Sequence, residues 1–209
     1  RVAPAYTRVG NPYRDIPAKQ FDIDTPDKAN AFYVSRMPLK LQDTDADYPA
    51  LYLANYLFGA SETSRLWNRV RETEGLSYNV RSSLSVSSFE PSASWTMYAI
   101  YAPQNRERLE KAIGEELARV LKDGFTDKEI SDGITALLNY RNLARAQDDV
   151  LAGTWLDYLQ RGRTFEWSAE MDKKITALTP DAVNAALRKY LRPDGFSTAV
   201  AGDFKKKAP

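Results

Sequence analysis

Arg71 and Tyr78 stand seven positions apart in the stretch Ser64 to Val80, SRLWNRVRETEGLSYNV. A guanidinium and a phenol are both hydrogen-bond donors, and neither loses its proton near neutral pH. The surrounding residues predict how the two are held. Ser64 is placed as a helix N-cap, because a serine hydroxyl accepts a hydrogen bond from a free N–H of the first turn. Leu66 and Val70 lie four apart and make an apolar stripe that Trp67 widens. Gly75 stands where a helix turns left-handed at its end. Beyond it, Leu76, Tyr78 and Val80 alternate with Ser77, Asn79 and Arg81, the two-residue period of a strand. Arg71 therefore leaves a helix end and Tyr78 enters a strand start, and a tight junction can bring both side chains to one point. Each also has a plainer reading. Arg71 can be one more charge on a helix that already carries Arg65 and Arg69, and Tyr78 a half-buried strand aromatic.

Two absences narrow the chemistry. The chain has no His and no Cys. The usual zinc ligands and any disulfide are missing, as is the imidazole that most often serves in acid–base catalysis. Carboxylates alone suit calcium or magnesium, but no acidic loop has EF-hand spacing. On its own the chain is not expected to hydrolyse anything, and no metal site is expected in it. Lys+Arg 29 against Asp+Glu 28 leaves a net charge of +1, which gives no electrostatic case for nucleic acid or an acidic membrane as partner. No apolar run approaches the roughly 20 residues of a bilayer-spanning helix. At 209 residues there is room for one sizeable domain or two very small ones. Arg1 opens the sequence with neither a signal peptide nor an initiator Met, as a mature product or an excised piece would.

The elements that must position Arg71 and Tyr78 follow from patterning. Residues 1–28, with Pro4, Pro12, Pro17 and Pro26, read as an extended connector. Ala31 to Val34 is an unbroken apolar run suited to a strand buried on both faces, ended by Pro38. Leu51, Ala54 (or Asn55) and Phe58 mark a helix face, with Pro49 in its first turn and Gly59 closing it. Leu76 to Ser87 and Ser94 to Tyr101 read as an antiparallel pair joined by the turn FEPSA. In the second strand Trp95, Met97, Ala99 and Tyr101 share one face, and the strand is expected to be central. Leu109, Ile113, Leu117, Val120 and Leu121 form a helical stripe that stops at Gly124. Thr126 and Glu129 make a capping box, with Phe125 stapled onto Ile130. Later stripes are Leu151, Trp155 and Leu159, then Met171, Ile175 and Leu178. A last helix opens at Thr179-Pro180, and STAVAGDF is a closing strand. The expected fold is α+β, a mostly antiparallel sheet with helices packed on one face. One domain spans 29–204, and 205–209, including Lys205 to Lys207, is a solvated tail.

The motif R-E-x-x-G-L-x-Y after S-R-L resembles the signature of the insulinase/pitrilysin-like zinc metallopeptidases, in the half that carries no metal. The resemblance runs from about Ala29 to Asp203, with further matches in LTPDAVNAALRKYLRP and STAVAGDF. It implies a LuxS/insulinase-like metalloenzyme fold. It also implies zinc in a partner domain, an N-terminal zinc-bearing half that is part of the same chain or a separate subunit. The substrate would be extended polypeptide, and the setting bacterial, periplasmic or secreted. By the same resemblance Arg71 and Tyr78 are catalytic and substrate-binding residues that face the zinc site across a closed chamber and contact the substrate carbonyl. That role suits the residue types. Negative charge develops on the carbonyl oxygen as a peptide bond is attacked, and two fixed donors can stabilise it where it forms. The paired metal motif H-x-x-E-H is absent, and GASETS has one glycine where related mitochondrial processing peptidases carry a long glycine-rich loop. Two other readings stay open, a structural core protein of this fold without proteolysis and a stand-alone peptide-binding module.

Among the remaining residues, Arg65, Arg69 and Arg81 either add positive potential for acidic peptides or face solvent. Glu72 and Glu74 are placed to pair with Arg69 or Arg71. Asp148 and Asp149 read as a helix start rather than a metal corner. Trp155, Trp167 and the aromatics around Tyr158 read as core or interface.

Overall fold

The structure is a computed structural model and describes residues 6–205; Pro4 of the expected connector and residues 206–209 of the expected tail lie outside them. The apolar run at Ala31 continues well past Val34 as β2 (Ala31–Leu39), in which buried and more exposed residues alternate. It is therefore buried on one face, not both. Pro38 lies inside the strand, paired with Ser94, rather than ending it. The pairing of β2 with its other neighbour stops at Arg36, so the missing N–H leaves no ladder bond unmade on that side.

Among the described residues five strands form the sheet. With β1 (Gln20–Asp24), β3 (Ser77–Val86), β4 (Ala93–Tyr101) and β5 (Ser197–Gly202) the order is β1-β5-β2-β4-β3. Only β1 and β5 run parallel; every other neighbouring pair is antiparallel. The fold is α+β with a mostly antiparallel sheet, and β4 lies inside it. Gln20 to Asp24, read from sequence as connector, form an outer strand. All five are exposed, so backbone pairing with β5 holds them. Phe21 and Ile23 alternate with Gln20, Asp22 and Asp24, a short two-residue period that the proline-rich surroundings outweigh in the connector reading. The closing strand is interior, between β1 and β2.

One face of the sheet carries the core. Val80, Trp95, Met97 and Ala99 point to the same side as Met37 and Val200, all essentially buried. α1 (Tyr48–Asn55) packs there, with Pro49 in its first turn as expected. It runs without a break into a π turn, Tyr56–Ala60. Phe58 in that turn lies 6.0 Å from the Trp95 ring, centroid to centroid. Gly59 does not close the helix. A Cβ there would sit 2.6 Å from the Ser82 hydroxyl, so glycine is required for the turn to touch β3. α2 (Arg65–Trp67) leads into a second π turn, Asn68–Thr73. α3 (Arg106–Asp123), α4 (Asp127–Arg145), α5 (Asp148–Gln160), α6 (Phe165–Thr176) and α7 (Pro180–Tyr190) complete the chain.

The capping box at α4 is formed. The Thr126 hydroxyl accepts from the Glu129 N–H at 3.2 Å, and the Glu129 carboxylate accepts from the Thr126 N–H at 2.7 Å. Phe125 and Ile130 are both buried beside it. Arg65 is not a solvent-facing charge, since it binds the same carboxylate through two nitrogens at 2.7 and 2.8 Å and also donates to the Gly124 carbonyl. The Arg65 guanidinium draws the Glu129 carboxyl down to about 2, helped by Thr126 and opposed by burial. Its ordinary value is 4.5. The folded value is the lower one, so this stabilisation is complete above about pH 4.5 and lost as pH falls towards 2. Thr126→Ala is expected to cost about 0.5–2 kcal/mol in urea unfolding. A loss near zero would place the helix start elsewhere.

The stripe of α5, Leu151, Trp155 and Leu159, is largely exposed, and Tyr158 is the buried residue of this helix. Trp155 lies against the Phe165 ring at 5.3 Å, so of its two expected readings core is excluded and interface stays open. Tyr158 meets Phe165 and Trp167 edge-on at 5.4 and 5.8 Å. Just beyond α5, Arg163 reaches back to Asp43 and binds both carboxylate oxygens, at 2.6 and 2.7 Å. That clamp fixes the α5–α6 corner to the loop after β2. Lys205, expected in the tail, pairs with Asp24 of β1.

Candidate functional site

The helix-to-strand junction is built from the inside out. Val70 and Leu76 are buried, and the Leu76 N–H closes the helix by donating to the Val70 carbonyl at 2.9 Å. Gly75 between them takes φ 61°, the left-handed value that glycine adopts without steric cost. Ser64 holds the N-cap position with extended backbone but caps nothing. Its hydroxyl instead donates back to the Ser61 carbonyl at 2.6 Å, bracing the loop before the helix.

The strand that follows does not alternate as its sequence suggests. Pairing of β3 with β4 slips between Ser77 and Asn79, a bulge with Tyr78 as the extra residue. The Ser77 hydroxyl supports it, donating to the Ile100 carbonyl at 2.6 Å and accepting from the Asn79 N–H at 3.1 Å. A bulge re-aims the side chain it carries. Tyr78 therefore leaves the face of Leu76 and Val80 and stands 87% exposed. It is not a half-buried strand aromatic.

Arg71 and Tyr78 are brought together. Arg71 Nη1 donates to the Tyr78 carbonyl at 3.4 Å, and the guanidinium carbon is 5.7 Å from the centre of the phenol ring. The same guanidinium lies 4.2 Å over the Trp67 ring, and Arg81 lies over that ring at 3.8 Å. Trp67 is nearly buried and is pinned by its indole N–H, which donates to Glu72 at 3.1 Å. Trp67 is thus a platform for two guanidiniums, worth about 0.5–2 kcal/mol each. Its place on the apolar stripe with Leu66 and Val70 does not by itself disclose this role. An arginine four positions beyond a tryptophan on one helix face was the available signal.

The other charges are spoken for. Arg69 pairs with Glu74 and with Glu115, Arg71 with Glu72 at 3.6 Å, and Arg81 with Glu62 at 3.4 Å. Glu72 and Glu74 thus take the partners their spacing suggested. With Arg65 held by Glu129, Arg65, Arg69 and Arg81 do not make an unpaired positive field for acidic peptides. Asp148 and Asp149 lie in the first turn of α5. Among the described residues there is no group of three or more His, Cys, Asp or Glu that could hold a metal ion. Also among the described residues, no helix is long and apolar enough to cross a membrane.

These elements define an α+β domain that presents an arginine and a tyrosine side by side at a bulged sheet edge. The sequence profile of the peptidase M16 inactive domain matches residues 4–137, more than half of the chain. The chain belongs to that family. A relative in Streptomyces coelicolor, named an uncharacterized zinc protease, is 29% identical over 174 residues, 80% of this chain and 36% of the relative. One in Bacillus subtilis with the same style of name is 38% identical over 82 residues, 39% of this chain and 20% of the relative. A Helicobacter pylori relative named a non-peptidase homolog is 22% identical over 181 residues, covering 86% and 41%. The chain thus spans well under half of the curated relatives it matches. The crystal structure of a peptidase M16 inactive domain from Pseudomonas fluorescens has the same fold. Its TM-score is 0.80 at 24% identity, with 96% of this chain and 46% of that one covered.

Proposed function

We propose that this chain is the metal-free half of a zinc endopeptidase, binding extended polypeptide and completing an active site whose zinc is held in another domain. The observation that carries the reading is the bulge at Tyr78. A packing tyrosine has no need of a register slip that leaves it 87% exposed beside a guanidinium.

The zinc, when bound in its own half, supplies Lewis-acid chemistry at the peptide carbonyl. This chain contributes the rest. Arg71 is anchored on Trp67 and on the Tyr78 carbonyl, so its remaining N–H groups are fixed before substrate arrives. Tyr78 offers a phenol O–H with no partner among the described residues. Both donors act on charge that develops during reaction, and neither has to change protonation state. The open face of the sheet beside them, where Phe32 and Tyr98 stack at 6.3 Å, gives an extended polypeptide an apolar surface. A second reading, a structural protein without proteolysis, draws on the Helicobacter pylori relative's name.

Two measurements test the proposal. This chain alone is expected to bind no zinc in equilibrium dialysis, since it has no His and no Cys; one tightly held zinc per chain would overturn that. The full-length protein is expected to cleave a quenched fluorescent peptide and to lose that activity to a chelator. A full-length protein that binds zinc yet cleaves no peptide would support the structural reading instead.

A further inference from the structure

We infer that the cleft between α1, the π turn Tyr56–Ala60, β3 and α4 receives one aromatic side chain of a bound polypeptide, with a phenol as the best fit. The cleft encloses about 480 Å³. Tyr52, Tyr56 and Tyr140 wall it and Leu137 lies among them. Three rings in one recess favour an aromatic guest, because offset and edge-on ring pairs add to simple burial. The three phenols crowd one another. Burial first, then the neighbouring Tyr140 and Tyr52, pushes the Tyr56 phenol up from its ordinary value.

The polar end of the guest is set by Asn55. This residue lines the cleft and is only 6% exposed. Its Oδ1 accepts from the Ser82 hydroxyl at 2.7 Å. The amide Nδ2 has no partner among the described residues. That N–H opens onto the cleft rather than into the core, so a guest that ends in an acceptor can take it. A phenol oxygen is such an acceptor, at the end of a ring that the tyrosines can hold. At the mouth Arg81 and Glu62 face each other, so the rim has no net charge with which to select a cation or an anion.

Position ties the cleft to the donor pair. Arg81 at the mouth lies over the Trp67 ring, which also carries Arg71. A polypeptide that passes Arg71 and Tyr78 therefore runs one ring away from the opening. Both π turns among the described residues serve this place. The first supplies Tyr56 and Ala60 to the cleft, and the second supplies Arg71. Such turns are rare and occur often at functional sites.

The inference rests on the reading of Arg71 and Tyr78 as substrate donors, and its test is kept separate from theirs. The probe is a labelled extended peptide with Tyr, Phe, Ala or Lys at one central position. Its binding is measured by anisotropy to full-length protein held in chelator, so that nothing is cut. The Tyr peptide is expected to bind about three- to tenfold tighter than the Ala peptide, the worth of one ring pair. Phe should fall between them, and Lys should gain nothing. Tyr140→Ala and Ala60→Trp are both expected to abolish the preference, the first by removing a wall and the second by filling the mouth. Both positions are exposed, so melting temperatures should stay put. Equal binding of all four peptides, or a preference that survives both variants, would overturn the cleft and leave the donor pair standing. No binding of any peptide would overturn both.

Discussion

Tyr78→Phe in the full-length or reconstituted protein is expected to lower kcat by roughly 10²–10³-fold while the melting temperature stays where it was. The substitution keeps the ring and deletes only the donor. Because the side chain is exposed and carried on a bulge, its hydroxyl contributes nothing to packing. If the phenol acts on charge that appears only in the transition state, kcat and kcat/KM should fall together. Arg71→Ala is expected to add a rise in KM, since a guanidinium already fixed by Trp67 and the Tyr78 carbonyl can hold the ground-state carbonyl as well. Steady-state kinetics on a quenched fluorescent peptide, with melting curves on the same samples, decide the matter. A Tyr78→Phe variant that keeps most of its kcat with the fold intact would make Tyr78 an ordinary surface residue and withdraw the site.

The largest effect on stability is expected from Asp43→Ala. The Asp43 side chain is 4% exposed and the Arg163 side chain 12%, and the bidentate pair is joined by the Ser88 hydroxyl. Removing the carboxylate strands a guanidinium away from water, which typically costs about 3–5 kcal/mol. Burial raises the Asp43 carboxyl, but Arg163 and Ser88 outweigh it and hold it below its ordinary 3.8. The pair therefore stabilises fully above about pH 3.8 and weakens as pH falls below it. Urea unfolding of both proteins from neutral to acid pH should show the gap closing on the acid side. A cost under about 1 kcal/mol at neutral pH would mean that the pair is no better than a surface one.

What the sequence disclosed and what it hid divide along a physical line. Short-range devices were legible. The Thr126–Glu129 box, the left-handed Gly75 and the Thr179-Pro180 start each depend on residues within one turn, and the structure forms all three. The pairing of Arg71 with Tyr78 was legible for the same reason, because one glycine corner joins them. Features set by distant neighbours were not. Leu76, Tyr78 and Val80 alternate without fault, and only pairing with β4 reveals the slip. Pro38 looked like a strand end because nothing nearby shows where the partner strand stops. β1 left only the brief alternation of Phe21 and Ile23 with Gln20, Asp22 and Asp24, and a strand whose five residues all stay exposed adds no buried face to strengthen it. Arg65 looked free because its partner Glu129 lies 64 positions away. For α5 the sequence left core and interface both open, because an apolar stripe does not say whether its own chain or another covers it, and only its exposure in the fold excludes the core.

The bulge at Ser77–Asn79 also bears on how the domain keeps to itself. β3 is an outer strand, and the free side of an outer strand is a row of unpaired N–H and C=O groups that invites another chain to add on. One extra residue at the entry to β3 breaks the even spacing that such templating needs. A deletion that straightened the strand would turn the phenol inward and lengthen the regular edge in the same step. Loss of the donor and a tendency to stack into oligomers would then come from a single lesion, and a search for soluble variants would keep the bulge even without selecting for cleavage.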